Sequence, residues 1–138
     1  MKVYISGKIG EEVISDATRR KFARAEEILK ARGYEVFNPC DEKWQGALYM
    51  NWKVAEVTVG VGGIVSRYAY YLLKDLQKLA TCDAVYMLGD WTKSNGANVE
   101  LDFARASGKK ILWENEEDAK LFTDEAGNYT DTWLPIEG

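Results

Sequence analysis

The chain alternates short, nearly continuous apolar runs with longer stretches in which apolar residues recur every three or four positions, a pattern of strands separated by helices. Val3 to Ser6 is a β-favouring run that ends at Gly7, and Gly7-Lys8-Ile9-Gly10 reads as the loop leaving its C-terminal end. From Ser15 to Arg32 the sequence is helix-forming, with Phe22, Ala25, Ile28 and Leu29 on one face and Gly33 as the stop. Tyr34 to Phe37 is a second strand, ended by Asn38-Pro39. Residues 40 to 65 have no clear rhythm: part is expected to be helical, with turns at Gly46 and at Gly60-Val61-Gly62-Gly63. That glycine cluster lacks the G-x-G-x-x-G spacing of a dinucleotide fingerprint and is read as a mobile loop. Ser66 to about Ala80 is a helix striped by Leu72, Leu76 and Leu79, and Ala84 to Leu88 is a third strand. The loop Gly89 to Ala97 leads to a helix from about Asn98 to Ser107, stopped by Gly108, and Ile111 to Trp113 makes a fourth strand.

This alternation predicts a single-domain α/β protein. The expected fold is a flavodoxin/Rossmann-like parallel sheet of four to five strands with helices on both faces. In such sheets ligands bind outside the carboxyl ends of the strands, which here means Gly7 to Gly10 and Gly89 to Ala97. The acidic tail, residues 114 to 138, carries Tyr129, Trp133 and Leu134, apolar groups that suggest docking on its own subunit or on a neighbour.

Composition narrows the chemistry. At 138 residues with 46% hydrophobic content the chain fits one domain with a real core. Its 18 basic against 22 acidic residues, with no long basic run, exclude polyanion-wide binding, so no nucleic acid polymer is expected as partner. The start MKVYISGKIG has no leader pattern and no apolar run reaches the ~20 residues of a membrane span, so a cytoplasmic protein is expected. Cys40 and Cys82 have no Cys-x-x-Cys spacing and are expected to be reduced and partly buried. Histidine is absent, which removes Ser-His-Asp and Cys-His nucleophile systems and His-based zinc sites. Acid-base or nucleophilic work then falls to carboxylates, tyrosines or lysines.

Among the carboxylates, Glu100 is placed in the first turn of the helix expected from Asn98, where an acid commonly complements the helix dipole. Its angular position argues for another role. At about 100° per residue, Ala104, Phe103 and Ala97 gather around it while Asn98, Asp102 and Arg105 lie roughly opposite. A carboxylate aimed inward must be paired, protonated or facing a cavity. Asp75 lies at the edge of the Leu72/Leu79 stripe and is read as half buried, whereas Asp83, at the start of the third strand, is read as structural. Two inward acids without histidine suggest chemistry at an acetal-like carbon, with one acid as nucleophile and the other as proton donor.

Three blocks carry a resemblance. They are Val3-Tyr4-Ile5-Ser6-Gly7-Lys8-Ile9; the stretch from Asp75 to Asp83, two aspartates eight apart before an apolar strand; and Ser94-Asn95-Gly96-Ala97-Asn98-Val99-Glu100 with Ala104 and Gly108 following. In this order they resemble the nucleoside 2-deoxyribosyltransferase superfamily, including its deoxynucleoside monophosphate-hydrolysing branch and related uncharacterised domains. The resemblance implies that Glu100 attacks the sugar anomeric carbon, that Asp75 protonates the leaving base or positions the sugar, and that Tyr4 orients Glu100. It also implies a substrate-binding rim of Gly7, Lys8, Ile9, Ser94, Gly96 and Ala97. Ser94 stands where the phosphate-recognising branch has serine, which favours a 5'-nucleotide; the simpler roles are a solvated Lys8 and a loop-capping Ser94. A small-molecule deoxynucleoside or deoxynucleotide partner, a homo-oligomer and no metal or organic cofactor are implied as well. Residues 40 to 65 match no motif of the superfamily, and base recognition is unassigned. The rival expectation is a catalytically silent nucleotide-binding module of the same fold; a flavodoxin-like redox or receiver domain would have an aspartate or a flavin loop where this chain has Ser6-Gly7.

Overall fold

The computed structural model describes residues 1–9, 13–59 and 66–136, with side chains omitted for 55–59. The elements run β1 (Lys2–Ser6), α1 (Asp16–Ala31), β2 (Glu35–Phe37), α2 (Glu42–Val59), α3 (Arg67–Ala80) and β3 (Ala84–Met87). After a short 3-10 turn, Trp91–Lys93, come α4 (Asn95–Ala106), β4 (Lys110–Trp113), α5 (Glu116–Ala119) and β5 (Thr132–Trp133). The strands lie in the order β2-β1-β3-β4-β5, and every pair is parallel. The expected α/β parallel sheet is therefore present, with five strands.

Strands buried on both faces explain the continuous apolar runs that announced them. Tyr4, Val85, Met87, Ile111 and Trp113 project to one face and pack with Leu79 of α3 and with Leu101 and Ala104 of α4. Val3, Ile5, Ala84, Tyr86 and Leu112 project to the other, against Phe22, Ala25 and Leu29 of α1. Phe22 and Leu29 are almost wholly buried, and each contributes about 1.5–3 kcal/mol by leaving water. Ser15 caps α1 by accepting from the Thr18 amide at 3.2 Å. Gly33 and Gly108 end α1 and α4 with φ of 92° and 73°, the left-handed conformation that stops a helix at little cost only in glycine.

The connections from β1 and β3 leave toward opposite faces, so the crevice between their carboxyl ends is the topological switch point of the sheet. Asp90, following β3, fixes the loop after β1: Oδ1 accepts from the Lys8 amide at 3.0 Å and Oδ2 pairs with the Lys21 ammonium. Lys21 also donates to the Lys8 carbonyl at 2.9 Å. Gly7 is required by close approach, because a Cβ there would sit 2.8 Å from Leu88 Cδ1. At the opposite end of the sheet Asp83 is structural as expected, accepting from the Lys2 amide at 2.8 Å.

Two elements depart from expectation. Gly46 makes no turn but lies inside α2, where a single glycine costs about 1 kcal/mol relative to alanine. Gly10 and the Gly60-Val61-Gly62-Gly63 cluster lie outside the described residues. Helix α4 starts at Asn95 rather than near Asn98, so Glu100 is beyond its first turn. The tail adds β5 and packs Leu134 and Ile136 onto the α1 face of the sheet. Cys40 and Cys82 are both buried, more deeply than expected. Among the described residues no helix is long and apolar enough to cross a membrane.

Candidate functional site

A cavity of about 540 Å³ opens at the carboxyl ends of β1 and β3. Gly7, Lys8 and Ile9 line it from the loop after β1, and Ser94, Gly96, Ala97 and Glu100 line it from the start of α4. Asp75 reaches it from α3. Tyr4 stands behind the wall, fully buried, with its hydroxyl on Glu100. The sequence-predicted residues thus converge on one place, although they come from three separate segments.

Glu100 is 6% exposed, so its charge must be compensated locally. Tyr4 donates to its Oε2 and Ser6 to its Oε1 at 2.8 Å. Tyr4 and Ser6 are two apart on a strand and share a face, so the period of β1 presents both hydroxyls to the acid. Burial pushes Glu100 up to about 8; the nearby Asp75 charge adds to this, and the two hydroxyls oppose it. The Tyr4 phenol is pushed well above its ordinary value by burial and by the adjacent Glu100, so it remains a donor.

Asp75 is 9% exposed and is likewise raised by burial, to about 7, against the opposing hydrogen bond from the Trp44 indole. That bond, Nε1 to Oδ1, is 2.8 Å long. The Asp75 charge helps to raise Glu100, so the acids disfavour each other's ionisation, and one proton between them is the arrangement that neighbouring carboxylates favour. The two raised values alone would leave that proton on Glu100. The hydrogen bonding favours Asp75: each Glu100 oxygen accepts from a hydroxyl, whereas Asp75 has one indole donor and one oxygen left to carry the proton.

Ser94 caps α4, its Oγ accepting from the Ala97 amide at 3.1 Å while the residue lines the cavity. The simple capping role is therefore real. Lys8 is exposed at the rim, joined there by Lys93 and Arg67. Arg67 lies over the rings of Tyr49, Trp52 and Tyr71, with Tyr71 also on the cavity wall. Sequence reasoning missed Ser6, Trp44, Arg67 and Lys93. Ser6 was legible, being two residues from Tyr4 on a strand; nothing in the irregular 40–65 segment or at the start of α3 singled out Trp44 or Arg67.

The fold is shared with solved structures. A 2-deoxyribosyltransferase from the psychrotolerant bacterium Bacillus psychrosaccharolyticus, characterised as a biocatalyst for nucleoside synthesis, superposes with a TM-score of 0.54. It is 16% identical, and the match covers 97% of this chain and 100% of that one. No curated protein matches the sequence significantly. The family model described as Domain of unknown function (DUF4406) matches residues 1–113, a span that runs from β1 through β4 and includes Tyr4, Asp75 and Glu100; the chain belongs to that family.

Proposed function

We propose that this protein cleaves the N-glycosidic bond of a 2'-deoxynucleoside 5'-monophosphate or the parent nucleoside, transferring the sugar to another base or to water. One observation carries the reading: two buried carboxylates face one sugar-sized cavity in a chain without histidine, and Glu100 is held by two hydroxyl donors. The shared fold with a 2-deoxyribosyltransferase supports it.

Breaking the bond develops positive charge on the sugar and negative charge on the base. Ionised Glu100 attacks C1', the C1'–N bond breaks with its electron pair going to the base nitrogen, and Asp75 gives its proton to the base. The result is a glycosyl ester on Glu100 and an Asp75 carboxylate. Water or a second base then attacks C1' as the ester oxygen leaves, and the incoming group returns a proton to Asp75. Tyr4 and Ser6 keep Glu100 oriented; no metal or organic cofactor takes part. Lys8, Lys93 and Arg67 at the rim, with the first turn of α4, suit an anionic end on the substrate, which favours the monophosphate.

Incubation of the full chain with a panel of deoxynucleosides and their 5'-monophosphates, with chromatography of released base, tests this. The expected result is turnover with higher kcat/KM on monophosphates, and a Glu100→Gln variant that binds substrate but loses on the order of 10³-fold or more in kcat. Release of base from no member of the panel overturns the reading; nucleotide binding without turnover would instead identify a silent binding module.

A further inference from the structure

The two acids sit on different helices, yet the groups that hold them belong to one continuous file of rings. Tyr4 of β1 donates to Glu100, and Trp44 of α2 donates to Asp75. Between them lies Phe37, the last residue of β2. Its ring stacks on Tyr4 at 5.5 Å and 17°, and meets Trp44 edge-on at 5.3 Å and 83°. The Lys78 ammonium covers the outer side, 5.9 Å from the Phe37 centroid and 5.2 Å from that of Trp44. Simple core filling would be served by phenylalanine at all three positions. Instead both end rings carry a donor, and both donors are spent on the acids.

Resting on the catalytic reading above for its consequence but not for its geometry, we propose that the Tyr4–Phe37–Trp44 file is a positioning device for the Glu100–Asp75 pair, with Trp44 deciding where their shared proton sits. Phe37 fixes the separation of the two donors, so neither acid can be re-aimed without disturbing the other's support. The indole hydrogen bond stabilises ionised Asp75 and stops it from becoming a permanently neutral acid, so that the proton it gives to the base can be exchanged at neutral pH. The other groups around Asp75 are Glu100 from α4, which the Asp75 charge helps to raise, and the neutral Tyr4 from β1, with Lys8 from the loop after β1 and Arg67 and Tyr71 of its own helix on the same cavity. Trp44 is the hydrogen-bond donor that Asp75 has among the described residues.

The test is a carboxyl-carbon NMR titration of the full-length chain, native against Trp44→Phe and Phe37→Leu, with the rate–pH profile measured on the same samples. Trp44→Phe should raise the Asp75 midpoint by about one pH unit, through loss of a hydrogen bond to the charged form. The alkaline limb of the rate profile should rise with it, and kcat should fall more than KM changes. Phe37→Leu keeps both donors but frees them, so both midpoints should move and kcat should fall at near-constant KM. An unchanged Asp75 midpoint in folded Trp44→Phe overturns the proposal; should that variant fail to fold, unchanged midpoints for both acids in Phe37→Leu do the same. Midpoints that move as expected in a chain that releases no base from any nucleotide would sink the catalytic reading and leave the positioning device standing.

Discussion

Glu100 is costly where it stands, and that cost can be measured without knowing the substrate. Burial raises it from 4.5 to about 8 in the folded chain, so the folded state holds the proton that Glu100 and Asp75 share more tightly than the unfolded state does. The resulting stability is fully present below the unfolded value and is lost as pH rises toward about 8. Glu100→Gln, which stays neutral, should therefore gain on the native chain from pH 5 to pH 9, by about 1.4 kcal/mol for each pH unit that separates the folded from the unfolded midpoint. Urea unfolding midpoints at the two pH values check it; an equal difference at both would mean that the acid is solvated. That this residue points inward was legible, because 100° steps along α4 put alanines beside it. Its hydroxyl partners were half legible: Tyr4 through resemblance, Ser6 only through strand alternation carried one step beyond Tyr4. Trp44 left no trace, since a tryptophan's donor finds its acceptor only in three dimensions.

Helix α4 shows what element boundaries hide. Its apolar rhythm becomes visible only from about Asn98, but Ser94 is a strong N-cap and pulls the start back to Asn95. The residues expected to form the end of a binding loop are thus a helical first turn that lines the cavity, and a helix N-terminus is a better anion seat than a loose loop. Ser94→Ala should cost about 1 kcal/mol of stability through the lost cap. With the rim holding a phosphate as proposed, it should also raise KM for a 5'-monophosphate more than for the matching nucleoside; equal changes would leave Ser94 as a cap alone. Helix α2 was legible only in part, for a different reason. Leu48 is its buried apolar residue among those described, while Tyr49, Met50 and Val54 are exposed, so the sequence presents no stripe. A helix held by Trp44 and a few contacts gives no periodic signal.

For the whole molecule, alternation of runs was enough to give the parallel sheet, because a strand buried on both faces must be apolar throughout and a parallel neighbour must be reached by a crossover. Strand β5 escaped, being two residues long and reached without a long helix. It nevertheless completes the architecture around the site. Just before it, Asp131 has a side chain only 2% exposed and binds Arg105 of α4 at 2.6 Å and 3.3 Å, while also accepting from the Trp113 indole at 2.8 Å. The Leu134 amide donates to the Trp113 carbonyl at 2.8 Å, and the Tyr86 hydroxyl donates to the Leu134 carbonyl at 2.6 Å. The tail thus straps β3 and β4 to the helix that carries Glu100, although it lies beyond the family-matched residues 1–113. Removing one partner of a largely buried pair leaves the other unsatisfied, at about 3–5 kcal/mol for full burial; Arg105 is 30% exposed, so the lower end applies. Asp131→Ala should therefore lower the urea midpoint by on the order of 3 kcal/mol in stability. Because the strap grips α4 at Arg105, beyond the residues of that helix that line the cavity, the variant should retain the Glu100 and Asp75 titration midpoints while folded. A drop below about 1 kcal/mol, the range of an exposed pair, would make the tail a passive cover, and moved midpoints would make it part of the site.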